Sequence, residues 1–299
     1  MSGKHDELIA ITTSWDAAVG PGARTRMNLW LAATVALFCA LAGVVLGWWF
    51  SRLRSPYWTI GYVIALVLVF AYALAFRVPT LLFVPPFSWI MMGIKKFATL
   101  GFIATLLLTT PLSRVPRARN RVMIAVLMAV IVFFMSIWPF LAPMVDRRQL
   151  SRLRTNVDKD GICLQTTDYT CGPASAVTAL RKLRLPAEEG QIAILSCTSD
   201  LEGTPTDMLA DGLQNEYGKE GLVVKCRVFR NISELKQAGL TLAVVKYGLL
   251  EDHWVTVLEV THSEVIVGDP LAGLTRFSYD EFCKRWRFIG IVLQRKMPI

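Results

Sequence analysis

Gln165, Cys171, His253 and Asp269 are the residues of this 299-residue chain whose types and spacing could do covalent chemistry together. A cysteine attacks as its thiolate. Cys171-Gly-Pro-Ala opens a stretch with helical spacing of apolar residues, so its thiol would sit at a helix N-terminus, where the positive end of the helix dipole favours the anion. A neighbouring imidazole can take the thiol proton and form an ion pair. The chain has three histidines, His5, His253 and His262. His5 lies in a polar N-terminal tail, and His262 sits in Thr261-His-Ser-Glu264, which reads as the turn between two strands. His253 opens the first of those strands and Asp269 closes the second. A turn centred near residue 261 or 262 pairs position 253 with 269 or 271, on strands about 4.7–4.9 Å apart. A carboxylate there can hold the imidazole tautomer and stabilise the imidazolium. Gln165, six residues before Cys171, is placed to fold back and offer a side-chain amide to a developing oxyanion, with the Cys171 backbone N–H as second donor. Each residue alone has a duller reading: a structural cysteine, a core histidine, an Asp-Pro turn. Their ordered combination favours acyl-transfer chemistry.

The elements that must position these residues read as helices first and strands later. Residues 173–183 form a helix with Ala176, Val177, Leu180 and Leu183 on one face and Pro173 in its first turn. Helices follow at 188–195 and 206–217. Strand patterns occupy 222–229, 242–247, 254–260, 264–267 and 288–293, with short helices at 231–238 and 278–285. That order predicts an α+β domain with a mostly antiparallel sheet. Residues 161–299 suffice for one such domain with its own core.

The first half of the chain is of another kind. A hydrophobic content of 54% and a mean hydropathy of +0.44 exceed what an ordinary soluble protein carries. Uncharged apolar runs cover residues 29–50, 57–76, 97–112 and 122–142, against roughly 20 apolar residues needed to cross a bilayer core. Trp48, Trp49, Tyr57, Trp58 and Trp138 lie near their ends, as interfacial aromatics do. Four transmembrane helices are therefore expected over a membrane domain 29–142, after a polar tail 1–28 that is not a cleaved signal. The apolar segment 78–94, broken by Pro85-Pro86, suits an interfacial or re-entrant piece. Gly43-Val-Val-Leu-Gly47 is a small-residue pattern in the first span, with chance occurrence at least as good an explanation. A polar linker is expected at 143–160.

The +9 net charge gathers beside the spans, which points to anionic lipid headgroups and not to nucleic acid. Arg24, Arg26, Lys95, Lys96, Arg147 and Arg148 on one face outnumber, and Arg114, Arg117, Arg119 and Arg121 on the other out-concentrate, so the charge lean toward a cytoplasmic C-terminal domain is slight. Cys163, Cys197, Cys226 and Cys283 are even in number beside Cys171, compatible with two disulfides in an oxidising compartment or with buried thiols in the cytosol. None has Cys-x-x-Cys spacing, and no metal or other cofactor is expected.

Gln165-x5-Cys171-Gly-Pro-Ala, His253-Trp-Val-Thr-Val and Asp269-Pro270 resemble the peptidase C39 family of papain-like, bacteriocin-processing cysteine peptidases, over about residues 160–295. The resemblance implies a C-terminal α+β papain-like cysteine peptidase domain, which here follows the N-terminal all-α transmembrane helices read from the apolar runs. It implies Cys171 as nucleophile, His253 as base, Asp269 as orienter and Gln165 as oxyanion donor, acting on a peptide or protein. Family members fused to ABC transporters cleave leader peptides after a double glycine. Here the apolar segments precede the peptidase-like part and no Gly-x-x-x-x-Gly-Lys-Ser/Thr phosphate loop occurs, so the likeness is to stand-alone, membrane-anchored members, with a separate transporter as a candidate partner. Two other readings are an amidase or acyltransferase acting on a non-peptide substrate and a non-catalytic peptide-binding or sensory membrane module.

Overall fold

The computed structural model describes residues 29–77, 87, 95–248 and 251–296. The tail 1–28, and all of 78–94 except Phe87, lie outside the described residues, and with them the expected re-entrant piece.

Long uncharged runs leave the backbone no partners but its own, and they are helical: α1 (Leu29–Ser51), α2 (Ile60–Arg77), α3 (Lys95–Thr109) and α4 (Ala118–Val132). Helix α4 passes through a π-helical turn, Phe133–Ile137, into α5 (Trp138–Leu150), where Pro139 enters the first turn. Among the described residues four stretches are long and apolar enough to cross a membrane: Leu31–Ser51, Tyr57–Leu74, Lys96–Arg114 and Ala118–Leu150. The Gly43/Gly47 pattern is a packing face. A Cβ added at Gly43 would lie 2.2 Å from Thr105 Oγ1, and one at Gly47 2.9 Å from Thr109 Cβ, so both glycines admit α3 against α1. Residues 143–150 of the expected linker are the last turns of α5, with Leu150 fully buried.

The C-terminal part contains β1 (Asn156–Val157), β2 (Cys163–Leu164), α6 (Cys171–Lys182), α7 (Glu189–Leu195), α8 (Thr206–Tyr217), β3 (Leu222–Val228), α9 (Ile232–Ala238), β4 (Thr241–Lys246), β5 (Asp252–Val260), β6 (Glu264–Asp269), β7 (Gly273–Ser278), α10 (Tyr279–Arg285) and β8 (Trp286–Arg295). Strands β3–β8 form a six-stranded antiparallel sheet in the order β3-β8-β4-β5-β6-β7. The period-2 alternation of its central strands divides the interior. Leu242, Val244 and Trp254 join a core with α6, α7 and α8, while Ala243, Val255 and Val257 join one with α9, α10 and Trp286.

The α+β fold class read from the sequence holds, with three strands more than expected: the short antiparallel pair β1–β2 and, in the six-stranded sheet, β7. Residues 273–278 pair with β6 as an edge strand. Asn231 and Ser278, expected inside short helices, are their N-caps, and Ser278 with Glu281 makes a reciprocal capping box.

Candidate active site

Helix α6 begins at Cys171 itself, two residues before the expected start, and is buried from Cys171 to Leu180. Its small side chains let it lie close on β5, and two buried hydroxyls fasten the two elements. Ser175 Oγ donates to Trp254 O at 2.9 Å, and Thr256 Oγ1 donates to Ser175 O at 2.7 Å. The nucleophile candidate and the base candidate thus sit on one clamped helix–strand unit.

His253 is 5% exposed and Asp269 half-buried. His253 Nε2 and Asp269 Oδ1 are 2.8 Å apart. The β5–β6 register pairs Thr256 with Gly268, which carried forward sets His253 opposite residue 271, so Asp269 is its diagonal neighbour on the same face. A bulge between Val257 and Glu259 sets this register. Asp269 Oδ1 also accepts from Leu271 N at 2.9 Å, which leaves the carboxylate little freedom to turn away. Burial pushes the His253 imidazole down, but hydrogen bonds to Asp269 and Cys171 and their charges overcome it and carry His253 up to about 9. Asp269 is held below its ordinary value: burial opposes, and the hydrogen bond from His253 followed by that from Leu271 prevails. The imidazole is thus held by the carboxylate, on the strand that the Cys171 helix is fastened to. Tyr247 lies beside it, ring centroids 5.5 Å apart.

Gln165 follows β2 and is tied to the far end of the site, because its backbone N–H donates to Pro270 O at 3.0 Å. Its Nε2 donates to Thr167 O at 2.9 Å, while Oε1 is buried without a hydrogen-bond partner among the described residues. An amide nitrogen carries two hydrogens, so one remains for an oxyanion. Thr167 and Thr170 close the turn before Cys171, with Thr170 Oγ1 donating to Thr167 O at 3.1 Å. Glu189, fully buried at the start of α7, accepts from Thr166 N at 2.8 Å and from the Thr166 hydroxyl. Sequence reasoning missed Glu189, Ser175, Thr256 and Thr204. A capping-like acid or a hydroxyl in a helix carries no spacing signal of its own.

No disulfide joins the six cysteines. Burial, with the Glu189 charge second, pushes Cys163 up to about 12; burial raises Cys197 and Cys283 as well. Those thiols are held protonated.

Thiol at a helix start, imidazole, carboxylate and upstream amide together make a papain-like arrangement. Residues 159–297 match the family model described as the Peptidase C39 family. An uncharacterized protein of Methanothermobacter marburgensis is 27% identical over 135 residues, 45% of this chain and 89% of the relative. The double glycine motif protease of an AMS/PCAT transporter, solved with its leader peptide, is 19% identical. That likeness covers 49% of this chain and 96% of the protease, with a TM-score of 0.38. The peptidase domain of Streptococcus ComA, a bi-functional ABC transporter, is 20% identical over 44% of this chain and 96% of that domain, with a TM-score of 0.39.

Proposed function

We propose that this chain is a membrane-anchored cysteine peptidase. The observation that carries the reading is the His253–Asp269 pair, 2.8 Å apart, on the strand to which the helix beginning at Cys171 is clamped, in a domain that matches the C39 family model. In this mechanism the Cys171 thiolate attacks a peptide carbonyl, and the oxyanion is met by the backbone N–H of Cys171 and the second amide hydrogen of Gln165. His253, as imidazolium, gives its proton to the leaving amine. A thioester remains on Cys171. Neutral His253 then takes a proton from water as it attacks, and the carboxylate product leaves with the thiolate restored. Asp269 keeps the imidazole oriented throughout.

Residues 1–28 are the tail and 29–142 the anchor, with the four apolar helices spanning the bilayer; 143–160 connect to the peptidase domain 161–299. The substrate class is peptide, with leader-bearing precursors the first to try and a separate transporter the natural recipient. The test is Cys171 alkylation by iodoacetamide against pH, read by mass spectrometry in wild type and His253→Ala, followed by cleavage of a peptide library with Cys171→Ala as control. Alkylation persisting well below the free-thiol range in wild type and collapsing in His253→Ala supports the ion pair. An ordinary thiol profile in both proteins sinks it.

A further inference from the structure

Residues 198–204 form a closed loop between the site and the apolar helices. Ser199 and Gly203 exchange both backbone hydrogen bonds, at 3.1 and 2.9 Å, and Thr198 Oγ1 meets Thr204 Oγ1 at 2.8 Å. One side of this loop is built onto the catalytic unit. A Cβ added at Gly172 would lie 2.7 Å from Thr204 Cβ, so the residue after Cys171 has no slack against Thr204. Trp254, next to His253, donates its indole N–H to Thr204 O at 3.4 Å.

The other side is built onto the apolar helices. Glu202 forms an ion pair with Lys96 in the first turn of α3. Asp200 N donates to Asp146 Oδ2, near the end of α5, at 3.2 Å. Met208, just beyond the loop, packs with Ala36 of α1, Phe97 of α3 and Phe140 of α5, and Cys197 lies against the same cluster. The acid of α5 is also electrically adjacent to the turn that leads into the nucleophile: burial first, then the Asp146 charge, holds the Tyr169 phenol above its ordinary value.

We propose that loop 198–204 is a strut through which the apolar helices set the reactivity of Cys171, with Glu202 and Thr204 as positioning residues. The proposal rests on the reading of Cys171 as a thiol activated by His253. Close-packed contacts transmit displacement instead of absorbing it. A shift of α3 against α5 moves Glu202, and the Thr204–Gly172 contact passes that movement to the helix start that bears the thiol. A partner or lipid that displaces α3 would therefore tune the site without touching it.

The test uses full-length protein in bilayer nanodiscs. The rate of Cys171 alkylation by iodoacetamide at about pH 6 is read site by site in wild type, Lys96→Glu, Glu202→Lys and the charge-swapped double variant. Alkylation of Cys163, fully buried in the fold, reports global opening in the same sample. Each single change is expected to slow Cys171 by about fivefold or more, and the swap to restore it to within about twofold, as for residues coupled in a cycle. Asp146→Ala should slow it in the same direction, and covers the case in which a charge reversal fails to fold. Single variants that match wild type overturn the strut, and so does a double variant as slow as the singles. The outcomes are separable from the function itself. A wild-type rate indifferent to His253→Ala removes the underlying reading, whereas a His253-dependent rate unmoved by the strut variants removes only the strut.

Discussion

At Gln165 one amide hydrogen is engaged by Thr167 O, and among the described residues the other has no acceptor and the buried Oε1 no donor. Leaving a buried acceptor unsatisfied is costly, so Oε1 suits a donor N–H that arrives with the substrate, while an oxyanion is met from Nε2. If the free hydrogen serves an oxyanion, Gln165→Ala should lower kcat by about 10²–10³-fold. It should leave Cys171 alkylation by iodoacetamide unchanged, because displacement at an sp³ carbon develops no oxyanion. Equal losses in both assays would mean that Gln165 acts on the thiol instead. The His253–Asp269 pair makes a second forecast, about pH. His253 rises from 6.5 to about 9 on folding, so its stabilisation is complete below 6.5 and is lost as pH climbs through about 9. Asp269 is lowered, so its contribution is present above its ordinary 3.8 and is lost only as pH falls through its depressed folded value. The thermal midpoint of wild type should therefore decline between about pH 6 and pH 10 relative to that of His253→Gln. Parallel curves would show that folding leaves the His253 pKa where it stands in the unfolded chain.

The clamp between α6 and β5 depends on two hydroxyls that no pattern announces. Thr256→Val keeps shape and volume but removes the donor to Ser175 O, in a place where both residues are fully buried. The expected cost is about 1–2 kcal/mol, with a drop in kcat, since the same bond sets the spacing of the Cys171 helix and the His253 strand. Thermal unfolding and peptide turnover read the two effects. Stability lost without any change in turnover would detach the clamp from the chemistry. What the sequence made legible at this scale follows period and punctuation. Residues 206–217 were located to the residue because apolar spacing and a Thr-Pro-Thr start agree there. Strand β7 escaped because Leu274 and Phe277 fall on opposite parities of an edge strand, so no period of two appears. Cys171 at the helix N-terminus was legible, but the helix range read from Pro173 begins two residues late, because Pro173 is the stronger start signal. The hairpin arithmetic reached the right partners but left the register open between 269 and 271. The bulge after Val257 decides it, and a bulge has no signature in one sequence. Contacts between the two halves, such as Lys96 with Glu202, pair residues far apart in the chain and were beyond reach for the same reason.

At the scale of the whole molecule, α7 is where the two halves meet the site. Its first residue, Glu189, holds Thr166 beside Gln165. Its second, Gly190, is placed so that an added Cβ would stand 2.3 Å from Leu150 O, the last residue of α5. The obstacle is backbone and not a flexible side-chain tip, so relief requires α5 and α7 to part. An ordinary linker would tolerate that parting, but α5 enters the domain as a continuous helix with Leu150 buried, so separation would open packed surface. Gly190→Ala should accordingly cost about 2–3 kcal/mol, as overpacking does, and lower the thermal midpoint of the domain by roughly 5–10 °C. Because Glu189 moves with Gly190, the same variant should loosen the Gln165 turn and reduce peptide turnover more than Cys171 alkylation. Tryptophan fluorescence melting in nanodiscs, together with both rates, tests this. A midpoint equal to wild type would mean that α5 and α7 do not touch, and that the C-terminal domain hangs from the apolar helices without being held by them.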